Sequence, residues 1–110
     1  MFVTTEANEN PVAQDDEATT NPGEKVEIDV LANDSDPNDD PLSIESMTQG
    51  QHGTVAKASA SNGGDIIEYW PTNATYVGID TFNYTVSDGQ GGTAEGKVTV
   101  YISTTNQELP

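Results

Sequence analysis

Hydrophobic and polar residues alternate along three segments of the chain, residues 24–30, 80–86 and 93–102. A period of two places neighbouring side chains on opposite faces of the backbone. Each segment is therefore predicted to be a β-strand with one buried face and one solvent-facing side. No stretch has the period of an amphipathic helix.

Shorter apolar runs occur at residues 42–44, 53–55 and 66–70. Clusters of Gly, Pro and Asn follow or precede the runs, at residues 62–64, 71–73 and 88–92. Short strands separated by such turns are typical of an antiparallel sandwich. The fold is predicted to be all-β, a seven-stranded antiparallel Greek-key β-sandwich of immunoglobulin-like type.

The predicted core consists of the apolar residues that share the inward parity of these strands. They are Val26, Ile28, Val30, Leu42, Ile44, Val55, Ile67, Tyr69, Phe82, Tyr84, Val86, Val98, Val100 and Ile102. Trp70 has the opposite parity to Tyr69, so we expect it to be partly exposed or to cap one end of the sandwich.

The charge of the chain restricts its partners. The net charge is −16, because 19 acidic residues face three lysines and no arginine. Nucleic acids and anionic membrane surfaces need basic patches, so neither is an expected partner. No apolar run is long enough to insert into a membrane. There is no cysteine and a single histidine, His52, which excludes disulfides and argues against zinc.

The most acidic stretch is residues 34–40, D-S-D-P-N-D-D, with no Lys or Arg nearby. At about 7 Å, each pair of its carboxylates repels by about 2 kcal/mol at an effective dielectric constant of about 20. Oxygen-bearing side chains follow the spacing of an EF-hand, but Asp39 occupies the position of the turn glycine and the flanks have strand periodicity. The EF-hand is therefore rejected, whereas the ligand chemistry still favours a hard cation such as Ca²⁺. The alternative is a solvated acidic turn.

Two other segments are expected at the same end of the sandwich as the acidic loop. One is Glu6–Pro11 and the other is the turn at Asp88. In an immunoglobulin-like sandwich, the lead-in, the loop after the second strand and the loop before the last strand meet at one end. We therefore expect side chains from all three to converge, namely Asp34, Asp36, Asp40, Asp88, Asn8 and Asn10.

The two ends of the chain resemble each other. Residues 3–11 align with residues 102–110 at an offset of 99, and both run from a β-branched residue to a Glu and then a Pro. This similarity predicts one unit of a tandem array. Residues 1–11 are then a linker and the end of a preceding repeat, 12–103 the domain, and 104–110 the start of the next linker.

These motifs resemble the cadherin family, and more closely the cadherin-like repeats of bacterial cell-surface adhesins. E-A-N-E-N-P at residues 6–11 is similar to the cadherin linker D-x-N-D-N-x-P, and D-S-D at 34–36 to its D-x-D. Asn38 or Asp40 approximates the following Asn, and V-S-D-G at 86–89 supplies the Asp after the penultimate strand. The phrases at 30–36 and 78–89 look like the bacterial repeats specifically.

The resemblance implies that Ca²⁺ binds at the junction between consecutive repeats of an extracellular protein and stiffens it. Carboxylates would come from Asp34, Asp36 and Asp88. The linker would add oxygens from Glu6, Asn8, Glu9 and Asn10. The resemblance also implies that the preceding repeat supplies the remaining ligands, so that an isolated domain binds weakly.

Some family features are missing. The L-D-R-E motif is absent, and Asp80 lies only loosely in its region, where a turn or capping role is the better interpretation. Asp16 and Glu17 resemble an early acidic position that serves the opposite end, but a solvated acidic stretch over 15–17 is favoured. There is no N-terminal Trp for strand-swapped adhesion.

Three functions compete. Catalysis is disfavoured, since one histidine limits acid–base chemistry and no nucleophile set is evident. A calcium-stiffened structural or adhesive module is preferred. A module that binds a polysaccharide, or another cadherin-like domain, is the alternative, with Trp70 as the candidate contact.

Overall fold

The computed structural model describes residues 8–61 and 63–104. These residues form seven strands: β1 Asp16–Thr20, β2 Val26–Ile28, β3 Ser43–Met47, β4 Gly53–Ser59, β5 Asp65–Pro71, β6 Gly78–Ser87 and β7 Thr93–Ile102. One turn of 3₁₀ helix at Val30–Asn33 follows β2.

The strands form two sheets, one of four strands in the order β1-β7-β6-β3 and one of three in the order β2-β5-β4. The prediction of an all-β, two-layer fold is therefore confirmed. The two sheets contain five pairs of neighbouring strands, and four of these pairs are antiparallel. The expectation of a purely antiparallel sandwich is wrong at one edge, because β1 runs parallel to β7.

Strand β1 lies within a segment that the sequence pattern did not identify as a strand. Its inward residues are Ala18 and Thr20, which are small or polar and give little periodic signal. The acidic stretch at 15–17 is therefore not simply solvated, because Asp16 pairs in register with Val98 of β7. This pairing brings an acidic residue to the edge of the core.

The core lies between the sheets and matches the predicted set closely. Twelve of the residues predicted for it form one buried cluster, in which the rings of Tyr69 and Phe82 lie 6.0 Å apart. Val26 and Leu42 are only partly buried against that cluster. Ile66 is also buried, which its parity did not predict. Trp70 is 53% exposed, as its parity indicated.

The strand directions give the sandwich two distinct ends. The segment that precedes β1, residues 8–15, is called the lead-in. It lies at the same end of the sandwich as the loop from β2 to β3 and the turn from β6 to β7, and we call this the N-terminal end. The connections from β1 to β2, β3 to β4 and β5 to β6 lie at the C-terminal end, where β7 finishes. The acidic loop thus belongs to the N-terminal end.

Asp80 is a buried carboxylate close to the C-terminal end, only 3% exposed. Its oxygens accept hydrogen bonds from the Tyr69 hydroxyl and from the backbone N–H groups of Gln51, His52 and Thr81. It therefore caps the loop between β3 and β4, in line with the capping role. Burial acts to raise the pKa of Asp80, but these four hydrogen bonds outweigh it and hold the pKa below its ordinary value.

We predict that Asp80→Asn lowers the free energy of unfolding by about 3 kcal/mol at pH 7, because buried donors lose a charged acceptor. A depressed pKa in the folded state contributes stability above the unfolded pKa of about 3.9. The difference from the parent should therefore shrink as the pH falls through the lowered folded pKa. Urea unfolding at several pH values measures both effects.

The control for Asp80 is Glu45→Gln, on an exposed position of β3. It removes the same charge and should change the free energy of unfolding by less than about 0.5 kcal/mol. Equal losses in the two variants would show that charge, and not the buried hydrogen bonds, accounts for the effect.

Candidate metal centre

Three carboxylates meet at the N-terminal end of the sandwich. One oxygen from each of Asp36, Asp40 and Asp88 lies within 4.8 Å of the others. Asp36 and Asp40 come from the acidic loop before β3, and Asp88 follows directly after β6. The group is thus assembled from two loops that are far apart in the sequence, as the sequence predicted for these three residues.

The local conformation of the acidic loop sets Asp36 and Asp40 side by side. Asp36 Oδ2 accepts hydrogen bonds from the N–H groups of Asn38 and Asp40, each at 2.9 Å. Asp39 has a φ of 61°, in the left-handed region that glycine favours and that Asp tolerates. The other oxygen, Asp36 Oδ1, is buried and has no hydrogen-bond partner.

Asp88 is almost completely buried, at 1% exposure. Its Oδ1 accepts hydrogen bonds from the N–H groups of Gln90 and Gly92, and its Oδ2 from the Asn8 amide at 2.9 Å. Desolvation acts to raise the pKa of Asp88, but these donors outweigh it and keep the pKa below its usual value. The carboxylate is therefore ionised at neutral pH.

Glycine is required at position 92 by close packing. A Cβ there would lie 2.5 Å from Asp88 Oδ2, 3.0 Å from Asn8 Nδ2 and 3.1 Å from Asn10 Oδ1. The absence of a side chain at Gly92 therefore leaves room for the Asp88 carboxylate and the amides of Asn8 and Asn10 to lie close together.

The group adjoins a polar cavity of about 300 Å³, which is lined by Asn8, Asn38, Asp40 and Gln90. Desolvation, followed by the negative charges of Asp36 and Asp88, raises the pKa of Asp40. Carboxylate and amide oxygens are the donors that Ca²⁺ prefers, with six to eight ligands. The Asn8 amide needs only a 180° flip to present its oxygen. The residues present therefore fit a hard cation.

Asp34 is not part of this group, although the resemblance implied a ligand there. Its Oδ1 accepts a hydrogen bond from the Gln14 N–H at 2.8 Å, and its Oδ2 one from the Tyr84 hydroxyl at 2.7 Å. Glu9 approaches the loop through its backbone, donating its N–H to Asn38 Oδ1. Glu6 lies outside the described residues. The cavity residue Gln90 was not predicted, since nothing in its sequence context marks it.

The Tyr84 hydroxyl lies among more acceptors than it has protons. Besides Asp34, it is 3.2 Å from Asp16 Oδ2 and 3.1 Å from the Gln14 carbonyl oxygen. Burial and the charges of Asp34 and Asp15 raise the pKa of Asp16 to about 6, against the lowering effect of hydrogen bonds from Tyr84 and Asn33. Burial and the neighbouring carboxylates also raise the pKa of Tyr84. This cluster binds β1 to the acidic loop.

Trp70 lies on β5, in the sheet that does not contain Tyr101. Lys25 Nζ is 5.7 Å from the centroid of the Trp70 ring, and the same amine pairs with Glu68 at 3.3 Å. Tyr69 is buried. Trp70 and Tyr101 therefore lie on different sheets and form no common platform with the buried Tyr69.

Comparisons with known proteins agree with this architecture. The family model described as bacterial Ig domain matches residues 8–101. None of the curated proteins matches the chain. No helix among the described residues has the length and apolar character needed to cross a membrane.

Solved structures with a similar fold include one bacterial protein. It is a nucleoside hydrolase-related hypothetical protein from Saccharophagus degradans, described as associated with carbohydrate metabolism. The TM-score is 0.60 at 19% sequence identity, and the match covers 88% of this chain and 26% of that one. The present chain thus spans about a quarter of that protein, and the likeness is one of fold alone.

We predict that the raised pKa of Asp16 makes the domain less stable as the pH rises. The folded state holds this proton up to about pH 6, whereas the unfolded chain releases it near pH 3.9. The folded state is therefore favoured below the unfolded pKa, and that advantage is lost between about pH 4 and pH 6. Asp16→Asn should flatten this part of the profile in thermal unfolding with a chelator present.

The matched control for Asp16 is Glu95→Gln, at an exposed position of β7. The stability of this variant should fall between about pH 4 and pH 6 as that of the parent does. A parental profile that is flat or rising between pH 4 and pH 6 would contradict the prediction.

Proposed function

This chain belongs to the bacterial Ig domain family, and we propose that it is a calcium-binding, cadherin-like repeat of an exported, multi-repeat surface protein. It acts there as a structural module of adhesion, with Greek-key connections between its sheets. The single observation that carries calcium binding is Asp36 Oδ1, a buried carboxylate oxygen without a partner, beside two further carboxylates. Ca²⁺ would be held by Asp36, Asp40 and Asp88.

Electrostatics support a cation at this position. Two unit charges 4.8 Å apart repel by about 3 kcal/mol at an effective dielectric constant of about 20. The solvated acidic turn, which is the alternative, relieves such repulsion through water. Asp88 has almost no access to water, and Asp36 Oδ1 has none. A divalent cation offsets the repulsion and also gives the buried oxygen a partner.

The proposed structural role is supported by the position of the candidate site and by the sequence similarity between residues 3–11 and 102–110. The three carboxylates lie where the lead-in enters the sandwich, beside Asn8 and Asn10. The similarity of residues 3–11 to residues 102–110 indicates a tandem array. Bacterial Ig domains are often modules of surface proteins, which supports an extracellular location. The proposal includes a non-catalytic role, with neighbouring repeats of the same chain as partners.

Carbohydrate binding is a second candidate, favoured by the exposed ring of Trp70. Aromatic rings with a free face are common contacts for apolar or cationic groups. Lys25 already lies over this ring, so a sugar would have to displace the lysine. The structural module is therefore preferred.

We predict that Ca²⁺ raises the melting temperature of the domain. Binding to the folded state alone stabilises it by about 2.7 kcal/mol at a hundredfold excess of Ca²⁺ over Kd, which is a rise of about 10 °C in melting temperature for a domain of this size.

Removal of one charged ligand should weaken Ca²⁺ binding by about tenfold or more. This applies to each of Asp36→Asn, Asp40→Asn and Asp88→Asn. Isothermal titration calorimetry and melting with Ca²⁺ or chelator provide the measurements.

The control is Asp39→Asn, which makes the same charge change within the same loop. Asp39 is exposed and not among the three carboxylates, so this variant should bind Ca²⁺ within about twofold of the parent. If Asp39→Asn weakened binding as much as Asp36→Asn did, general loop charge would explain the effect. No binding of Ca²⁺ up to about 10 mM, well above the 10⁻⁴–10⁻³ M typical of extracellular modules, would exclude the site.

The carbohydrate alternative predicts retention on a polysaccharide array that depends on Trp70. Because we prefer the structural role, we expect no retention with or without Trp70→Ala. The control is Tyr101→Ala, which removes a half-exposed ring from the other sheet. Retention that is lost in Trp70→Ala and kept in Tyr101→Ala would establish sugar binding at β5.

A further inference from the structure

Acidic residues are distributed unequally between the two ends of the sandwich. Within residues 8–61 and 63–104, the loops of the N-terminal end contain Glu9, Asp15, Asp29, Asp34, Asp36, Asp39, Asp40 and Asp88. Among the same described residues, the loops of the C-terminal end contain one acidic residue, Glu24. A unit that stacks its C-terminal end on the next unit therefore has little negative charge to offer there.

The carboxylates near the C-terminal end are already engaged. Both oxygens of Asp80 accept hydrogen bonds, and the residue is buried. Glu24 Oε1 accepts a hydrogen bond from the Asn21 amide at 3.0 Å. Turning Asp80 outwards to a cation would leave buried donors unpaired, which is costly. Asp80 therefore cannot act as a ligand for a neighbouring unit.

The lead-in, in contrast, packs on its own domain. Val12 and Ser35 exchange two backbone hydrogen bonds, of 2.7 and 3.0 Å, and Pro11 is buried. Glu9 donates its N–H to Asn38 Oδ1 at 2.8 Å. Asn8 reaches Asp88. The amides of the lead-in thus meet the carboxylates without any contribution from another unit.

We infer that the cation site is complete within one domain and its own lead-in, and is not shared with the preceding repeat. This inference rests on the calcium binding proposed above. The ligands are the carboxylates of Asp36, Asp40 and Asp88 together with the amide oxygens of Asn8 and Asn10, and water fills the remaining positions. The ion therefore fixes the lead-in to the domain that follows it.

The test compares the 110-residue chain with a tandem protein in which residues 1–101 are followed by residues 3–110, so that the matching segments 102–110 and 3–11 are not both present at the junction. The first copy of the tandem protein carries Asp36→Asn and Asp40→Asn, so that binding reports on the second copy. Calcium titration by calorimetry should give the two proteins Kd values within about threefold. Circular dichroism and melting of the first copy alone verify that it folds; if it does not, Asp40→Asn alone replaces the pair.

Two further variants locate the ligands. Asn10→Ala in the single chain should weaken binding by about fivefold or more, because it removes an amide oxygen. Gln14→Ala, an exposed position further along the lead-in, should leave binding within about twofold. Glu24→Gln in the first copy of the tandem should also have no effect, since in the proposed site the described loops of the C-terminal end provide no ligand.

The outcomes separate this inference from the proposed function. Binding at least tenfold tighter in the tandem, or binding in the tandem alone, would overturn the self-contained site and leave calcium binding standing. Absence of binding in both proteins would overturn both. Equal binding that is unaffected by Asn10→Ala would also contradict the inference, because the lead-in would then contribute no ligand.

Discussion

The scarcity of positive charge constrains the whole structure, because 19 acidic residues face three lysines. Among the described residues there is one salt bridge, between Lys25 and Glu68. Carboxylates that lie in or near the core must therefore be stabilised by neutral N–H and O–H donors. Asp80 holds the loop before β4 in this way, and Asp34 joins the lead-in to Tyr84 on β6. These hydrogen bonds connect segments that are distant in the sequence. The positions of the loops therefore depend on the hydrogen bonds that these carboxylates accept.

Neutral donors suffice for Asp80 at the C-terminal end and not for Asp36 at the N-terminal end. Asp80 has four donors for its two oxygens, and its pKa falls accordingly. Asp36 uses one oxygen for its own turn and leaves the other buried without a partner, and desolvation, followed by the charge of Asp36, raises the pKa of Asp40. Both oxygens of Asp80 are thus hydrogen-bonded, whereas one oxygen of Asp36 is not. We take that difference, more than the number of acidic residues, to indicate a candidate metal ligand in Asp36 and a structural anchor in Asp80.

The strands were predictable from alternation alone where the inward residues are large. Strand β7 has the predicted limits, whereas β1 was not identified because Ala18 and Thr20 give a weak pattern. For the candidate metal centre, the sequence predicted that Asp36, Asp40 and Asp88 meet at one end, as they do, and it also predicted Asp34 in that group, from which the structure leaves it out. Spacing cannot show that a buried tyrosine hydroxyl already occupies Asp34. Nor does it show that Asp39 adopts a left-handed conformation within the turn in which the N–H groups of Asn38 and Asp40 bond to Asp36.

A self-contained site, as inferred above, would change what a cation does in an array of such domains. A shared site would join two units directly, so the ion would stiffen the joint itself. Here the lead-in is held from Asn8 to Val12 by hydrogen bonds to its own domain, and an ion at Asp36 would reinforce that contact. The ion would then set the direction in which the chain enters each domain and shorten the segment left free between units. Because the stiffness of a linker limits how far two domains can move, calcium bound as we propose would affect an array of repeats without any ligand crossing between them.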